Sequence, residues 1–161
     1  MSNKAFTVDN KVWEQMKKNL SKDREKSVDI GYFEEDSYGP ENDNLPVAQV
    51  AKWNNEGSET NPMRPFFYTW IDMLEKRAGK EFIDNISTYL HLVANGSLSW
   101  EQLYNKIGKE ESEKIKDIIK EWSDPPNSAR TIAAKGKNDP LVDSEKMLNS
   151  TKYKISNKAD T

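Results

Sequence analysis

The chain has 161 residues, 35% apolar and 32% charged, with five Trp, six Tyr, five Phe and no Cys. That is one domain's length, which excludes a large multidomain enzyme, and the rings are numerous enough to exclude wholesale disorder. The missing cysteines exclude disulfide scaffolds, thiolate metal sites and cysteine nucleophiles, and the net charge of −3 gives no global footprint for nucleic acid.

Residues 1–6 lack the apolar run of a secretory signal, so none is expected. Val12 or Trp13, Met16 and Leu20 recur at helical spacing behind Asp9, a candidate N-cap, and predict a helix over about 9–22. Val28, Ile30 and Tyr32 alternate in a strand over 27–34. An acidic, turn-rich loop over 35–44 leads to Pro46, read in the first turn of a helix over 46–56 that ends at Gly57. After a polar connector, Pro65 opens the longest periodic run, including Ala78 and Phe82. It predicts one amphipathic helix to about 94, or two with a break near Gly79.

Ser99 is the expected cap of a short helix holding Trp100, Leu103 and Ile107. A second helix is read after Gly108, with Ile115, Ile118, Ile119 and Trp122 on one stripe. Asp124-Pro125-Pro126 stops it. Residues 127–142 read as an ordered loop with a helical turn near 131–135. Asp143 is the expected cap of a short helix carrying Met147 and Leu148, a last strand covers 151–156, and 157–161 are expected to fray. Two strands are marginal alone and require a third strand or docking onto helices. The expected fold is a single α+β domain over 1–161, a small antiparallel sheet packed against a long amphipathic helix and several shorter helices. No stretch reaches membrane-spanning length.

Nothing in the pattern assembles a catalytic, cofactor or metal site. The single imidazole, His91, lies mid-helix without a nucleophile signature, and reads as a surface or boundary residue. Glu34, Glu35 and Asp36 are adjacent in an extended segment, which points neighbours to opposite faces, and they read as a solvated loop. Lys135-Gly136-Lys137 lacks the frame of a phosphate loop. Charge is uneven: residues 29–61 hold one Lys against eight acids, while 1–28 and 125–161 each hold seven cations against four acids. That invites contact between the acidic block and the basic ends of neighbouring copies, or an acidic surface that repels a polyanion.

Three stretches together resemble a known family. They are Val47-Ala48-Gln49-Val50-Ala51-Lys52-Trp53-Asn54-Asn55-Glu56-Gly57; Pro62-Met63-Arg64-Pro65-Phe66-Phe67; and Trp122-Ser123-Asp124-Pro125-Pro126-Asn127-Ser128-Ala129-Arg130-Thr131-Ile132-Ala133-Ala134-Lys135-Gly136, continuing through Asp139-Pro140-Leu141-Val142-Asp143 to Met147 and Ser150. In this order they resemble the tailed-bacteriophage virion-morphogenesis family of neck or tail-completion proteins, over about 45–155. Three positions depart from the pattern: Asn55 stands where it has Glu, and Ser144-Glu145 replaces Thr-Gly.

The resemblance implies a structural virion protein, made in the bacterial host cytoplasm and placed in the neck. It implies a closed ring of six copies, with twelve as the alternative count, between the head-side connector and the tail tube or tail terminator. Double-stranded DNA passes its lumen without specific binding. Neither cofactor nor metal is implied. A tail terminator is the neighbouring reading, and a small DNA-binding or regulatory module is the outside one. In the structural reading Arg64, set between Pro62 and Pro65, forks onto a carboxylate or onto carbonyls. Pro125 and Pro126 stiffen a loop, Lys135-Gly136 and Asp139-Pro140 make tight turns, and Leu141 and Val142 return to the core. Trp53 and Phe66 are core rings or, where exposed, contacts between copies. Glu34, Glu35 and Asp36 are candidate ring-contact residues.

Overall fold

A computed structural model describes residues 10–23, 25–77 and 80–157. Asp9, the Ala78-Gly79 junction, the Phe82 side chain and the tail beyond 157 lie outside the described residues. The elements run α1 (Asn10–Ser21), β1 (Lys26–Gly31), a 3-10 turn (Pro40–Asn42), α2 (Val47–Glu56), α3 (Phe66–Arg77), α4 (Lys80–Ala94), α5 (Trp100–Glu121), α6 (Ala129–Lys135), α7 (Lys146–Ser150) and β2 (Lys152–Asn157). The fold is α+β.

β1 and β2 pair antiparallel, with Lys26 opposite Asn157 and Gly31 opposite Lys152. A lone two-stranded ribbon is marginal in water, and this one lies on α5. The docking centres on Gly108. The Tyr153 ring of β2 rests directly on that glycine, and a Cβ there would overlap the ring. One turn earlier, the Tyr153 hydroxyl donates to Asn105 Oδ1 at 3.0 Å. Gly108 is therefore no helix break, as the sequence suggests, but a seat cut into one continuous helix of 22 residues. The apolar stripe, not local propensity, decides: Leu103, Ile115 and Ile119 are buried on both sides of the glycine. Ser99 does cap α5. Its Oγ accepts from Gln102 N–H at 3.1 Å, and Gln102 Oε1 accepts from Ser99 N–H at 2.8 Å.

The core gathers Val47 and Ala51 of α2, Phe66 and Trp70 of α3, Ile115 and Ile119 of α5, and Met147 and Leu148 of α7. Leu141 and Val142 join it from the loop before α7, as expected. Phe66 meets Tyr32 and Phe67 edge to face. Trp70 fixes α3 to α5 through a polar contact: its Nε1 donates to the buried Glu111 carboxylate at 2.9 Å.

Several boundaries move. The 65–94 run is two helices, so the long helix beneath the sheet is α5 rather than that run. The ladder of β1 ends at Gly31 instead of 34, because Asp36 N–H turns back onto Phe33 O at 3.1 Å. Pro46 is the N-cap of α2, one place outside the first turn. α1 forms where expected yet buries no residue. It is tied down near its C-terminus, where Asn19 Nδ2 donates to Ala94 O at 3.0 Å and Trp100 Nε1 donates to Asn19 O at 2.9 Å.

Gly→Ala in a helix normally stabilises by about 0.5–1 kcal/mol. Here Gly108→Ala is expected to lower the unfolding free energy by about 1–3 kcal/mol, through overpacking against Tyr153. In a Tyr153→Ala background the same substitution is expected to regain its stabilising sign. Thermal and denaturant unfolding of the four proteins checks both signs.

Candidate functional site

α2 delivers Asn54 and Asn55 to its C-terminal end, and Gly57, at φ 80°, turns the chain away. The connector over 58–65 is short of regular pairing and is pinned at its last residues. Arg64 N–H donates to Asn54 O at 2.7 Å. The Arg64 side chain turns inward and is only 5% exposed. Its Nε donates to Pro125 O at 3.1 Å and its Nη2 to Pro126 O at 3.2 Å. The physical logic is complementary. Consecutive prolines have no N–H to pair, yet each still carries a carbonyl acceptor. A planar guanidinium supplies two donors in a fixed fork. Of the two partner types expected for Arg64, carbonyls take the place. Burial lowers the guanidinium pKa from its usual range, but an arginine stays charged at neutral pH.

Asn55 completes the joint. Its side chain is buried, and its Oδ1 accepts from Phe67 N–H at 2.9 Å and, more weakly, from Tyr68 N–H at 3.4 Å. Those are first-turn donors of α3 with no partner inside the helix. The resembled pattern has Glu at this position, and an acceptor oxygen is what the helix end needs. Pro65, directly before α3, accepts through its carbonyl from both the N–H and the hydroxyl of Thr69, at 2.8 Å each. Phe66 enters the core, 1% exposed, whereas Trp53 stands 39% exposed on α2.

The loop after Pro126 is held by side chains as well. Asn127 N–H donates to Asn138 Oδ1 at 2.9 Å. Ser128 caps α6, accepting from Thr131 N–H at 3.2 Å, and Gly136 ends it in the left-handed region at φ 72°. Lys135 Nζ then reaches forward to the carbonyls of Asp139, at 3.0 Å, and Val142. It thereby closes the turns that return Leu141 and Val142 to the core. Asp143 does not cap α7. The cap position is Glu145, in the left-handed region at φ 59° with no side-chain cap bond, and Asp143 is a mostly exposed ion-pair partner 3.7 Å from Lys135. The Ser144-Glu145 departure falls at this turn. Glu145 takes up the positive φ that a glycine adopts without cost.

Between the connector, α6 and the loop before α7 lies an open cleft of about 810 Å³. Arg64, Arg130, Lys135 and Lys146 line it with Asp143 and Glu145. Segments of the three resembling stretches line it, together with Tyr38, Thr60 and Asn61. The acidic cluster lies apart from it. Glu35 pairs with Lys154 at 2.8 Å and Lys152 at 3.1 Å, and Asp36 pairs with Lys152 at 2.7 Å. Lys154 Nζ also sits 4.3 Å from the Phe33 ring centroid. This part of the acidic block thus meets basic residues of its own chain. Glu34 is exposed beside it. His91 is exposed in the last turn of α4. Among the described residues, no three acidic or imidazole side chains group as a metal site, and no helix is long and apolar enough to cross a membrane. No protein-family model, curated protein or solved structure matches the chain.

Asn55, Tyr153 and Glu111 carry structural weight that the sequence pattern does not single out. The departure at 55, from one oxygen acceptor to another, was the available signal for the first.

Arg64→Gln is expected to cost about 2–4 kcal/mol of stability, since it removes the charged two-donor fork of a side chain that is itself buried. Arg64→Lys is expected to recover only part of this, because a single ammonium cannot reproduce the fork; chemical denaturation measures both. Glu35 gives a second expectation. Hydrogen bonding from Lys154, then from a backbone N–H and Lys152, lowers its carboxyl pKa from 4.5 to about 2. A depressed acid stabilises the fold above its unfolded pKa, and the contribution fades as pH falls from about 4.5 through about 2. An NMR titration is expected to find the low midpoint, and Lys154→Met to move it toward 4.5.

Proposed function

We propose that the chain is a ring subunit of the neck of a tailed bacteriophage, joining the head-side connector to the tail and leaving a passage for double-stranded DNA. One observation carries the reading. The three separated stretches that resemble the family meet at the Arg64 joint: Asn54 and Asn55 from the first, Arg64 from the second, and the Pro125 and Pro126 carbonyls from the third. Their residue types fit what each does there. An inward Arg answers two proline carbonyls, a side-chain oxygen meets a helix start, and Lys135 closes the turns after α6.

The reading is one of assembly rather than turnover. A rigid, side-chain-braced loop presents a fixed shape to a neighbour with little ordering cost on contact. Ring closure requires two unlike faces on each subunit. Exposed acids of the 29–61 block, among them Glu34, Glu41, Asp43 and Glu59, suit a surface past which DNA slides without sticking.

Removal of the gene is expected to leave DNA-filled heads and finished tails that fail to join, and added purified protein is expected to restore joined, infectious particles. Infectious particles formed without it would overturn the proposal. Tails of uncontrolled length would replace it with the tail-terminator reading. Electron microscopy of the lysates separates the three outcomes.

A further inference from the structure

A guanidinium holds its N–H donors in one plane, and they form two bidentate edges. Arg64 uses the Nε–Nη2 edge inside the chain, on the Pro125 and Pro126 carbonyls. The other edge, Nη1 with the second proton of Nη2, meets no protein acceptor, and no acid offsets the burial of the charge. Nη1 is not sealed in. Among the described residues, the side-chain atoms both buried and unpaired belong to Asp36, Trp122 and Asn127. A buried charge is normally paired. Arg64 is 5% exposed, lines the open cleft beside α6 and has no counter-ion.

Two more cations of the same lining are free. Arg130 and Lys146 are exposed, and neither side chain has an ion-pair or hydrogen-bond partner among the described residues. Lys135 is occupied by the Asp139 and Val142 carbonyls and lies 3.7 Å from Asp143. Three unpaired cations therefore face one unpaired acid, Glu145, in a chain whose net charge is −3. Val50, Pro62, Pro126 and Ala134 add apolar surface to the lining.

We propose that this cleft binds an acidic peptide segment of a partner protein, one carboxylate of which sits on the free edge of Arg64 within reach of Arg130 and Lys146. Two parallel N–H groups match the two oxygens of a carboxylate. A cleft of about 810 Å³ suits a segment of a few residues better than a lone ion. The apolar lining takes the side chains that flank the acid. A nucleic-acid backbone fits less well, because it brings a charge at every step past Asp143 and Glu145 and offers nothing apolar to the lining. The inference goes beyond the neck reading and does not need it.

An array of random heptapeptides probed with the full-length protein tests this. Bound peptides are expected to be enriched in Asp or Glu beside apolar residues. Replacing the acid of the strongest binder by its amide is expected to weaken binding about tenfold or more. Arg130→Glu with Lys146→Glu is expected to do the same, and both positions are exposed, so the fold is spared. The chain has four arginines, few enough to follow each guanidinium by nitrogen-15 NMR. The Arg64 Nη signals are expected to shift with the acidic peptide and to stay in place with its amide counterpart. An array without acidic enrichment would overturn the inference. So would binding that survives the double charge reversal, or that leaves the Arg64 signals unmoved. Inorganic phosphate or duplex DNA shifting those signals where acidic peptides do not would replace the peptide site with a phosphate site. None of these outcomes bears on whether heads and tails join, so the neck reading stands or falls separately.

Discussion

The Arg64 guanidinium has to make its hydrogen bonds where almost no water reaches it, and the chain arranges three distant segments to meet that need. Leaving a buried donor or acceptor unpaired costs about 1–3 kcal/mol per group. The Pro125 and Pro126 carbonyls cannot move without exposing Arg64, and Arg64 cannot move without releasing them. The same residue's N–H holds Asn54 O at the end of α2, and the neighbouring Asn55 side chain holds the start of α3. One joint thereby sets the angle between α2 and α3, the height of the proline loop and the floor of the 810 Å³ cleft.

The rest of the molecule provides what this joint leans on. α5 is the spine. α3 fastens to it through Trp70 and Glu111, and the two-stranded ribbon lies on it at Gly108. The ribbon's outer end is held electrostatically, with Lys152 and Lys154 drawn to Glu35 and Asp36. Exposed pairs of this kind contribute little each, but they fix where the acidic loop can lie. Two halves result. One is the helical core with its braced loops, and the other is the α1–α4 layer, which meets α5 where Trp100 Nε1 donates to Asn19 O and the Tyr89 hydroxyl donates to Glu110.

Much of this is legible in the amino-acid order, and the reasons differ by element. α1, α2 and the last strand announce themselves through periodicity, because a 3.6- or 2-residue repeat of apolar side chains has few other uses. Ser99 is readable as a cap because a hydroxyl before an apolar run has one common task. Gly108 is misread because a glycine signals a break only when nothing packs on it, and the Tyr153 ring comes from 45 positions further along the chain. Asp143 is misread for a related reason, since the local pattern suits a cap while Lys135 draws the side chain away. The carbonyl partners of Arg64 were an open alternative, as spacing alone does not distinguish a carbonyl from a carboxylate. Asn55 shows the limit most clearly: its worth lies in a helix that starts 11 residues later.

The account's central claim is that Arg64 holds the proline loop and the α2–α3 junction as one unit. Amide hydrogen exchange of Arg64→Gln against the natural protein tests it directly. The account predicts that protection is lost together over 127–136 and at the first turn of α3, with β1, β2 and the middle of α5 unchanged at conditions where both proteins remain folded. Unaltered protection over 127–136, or loss spread evenly across α5 and the ribbon, would contradict it.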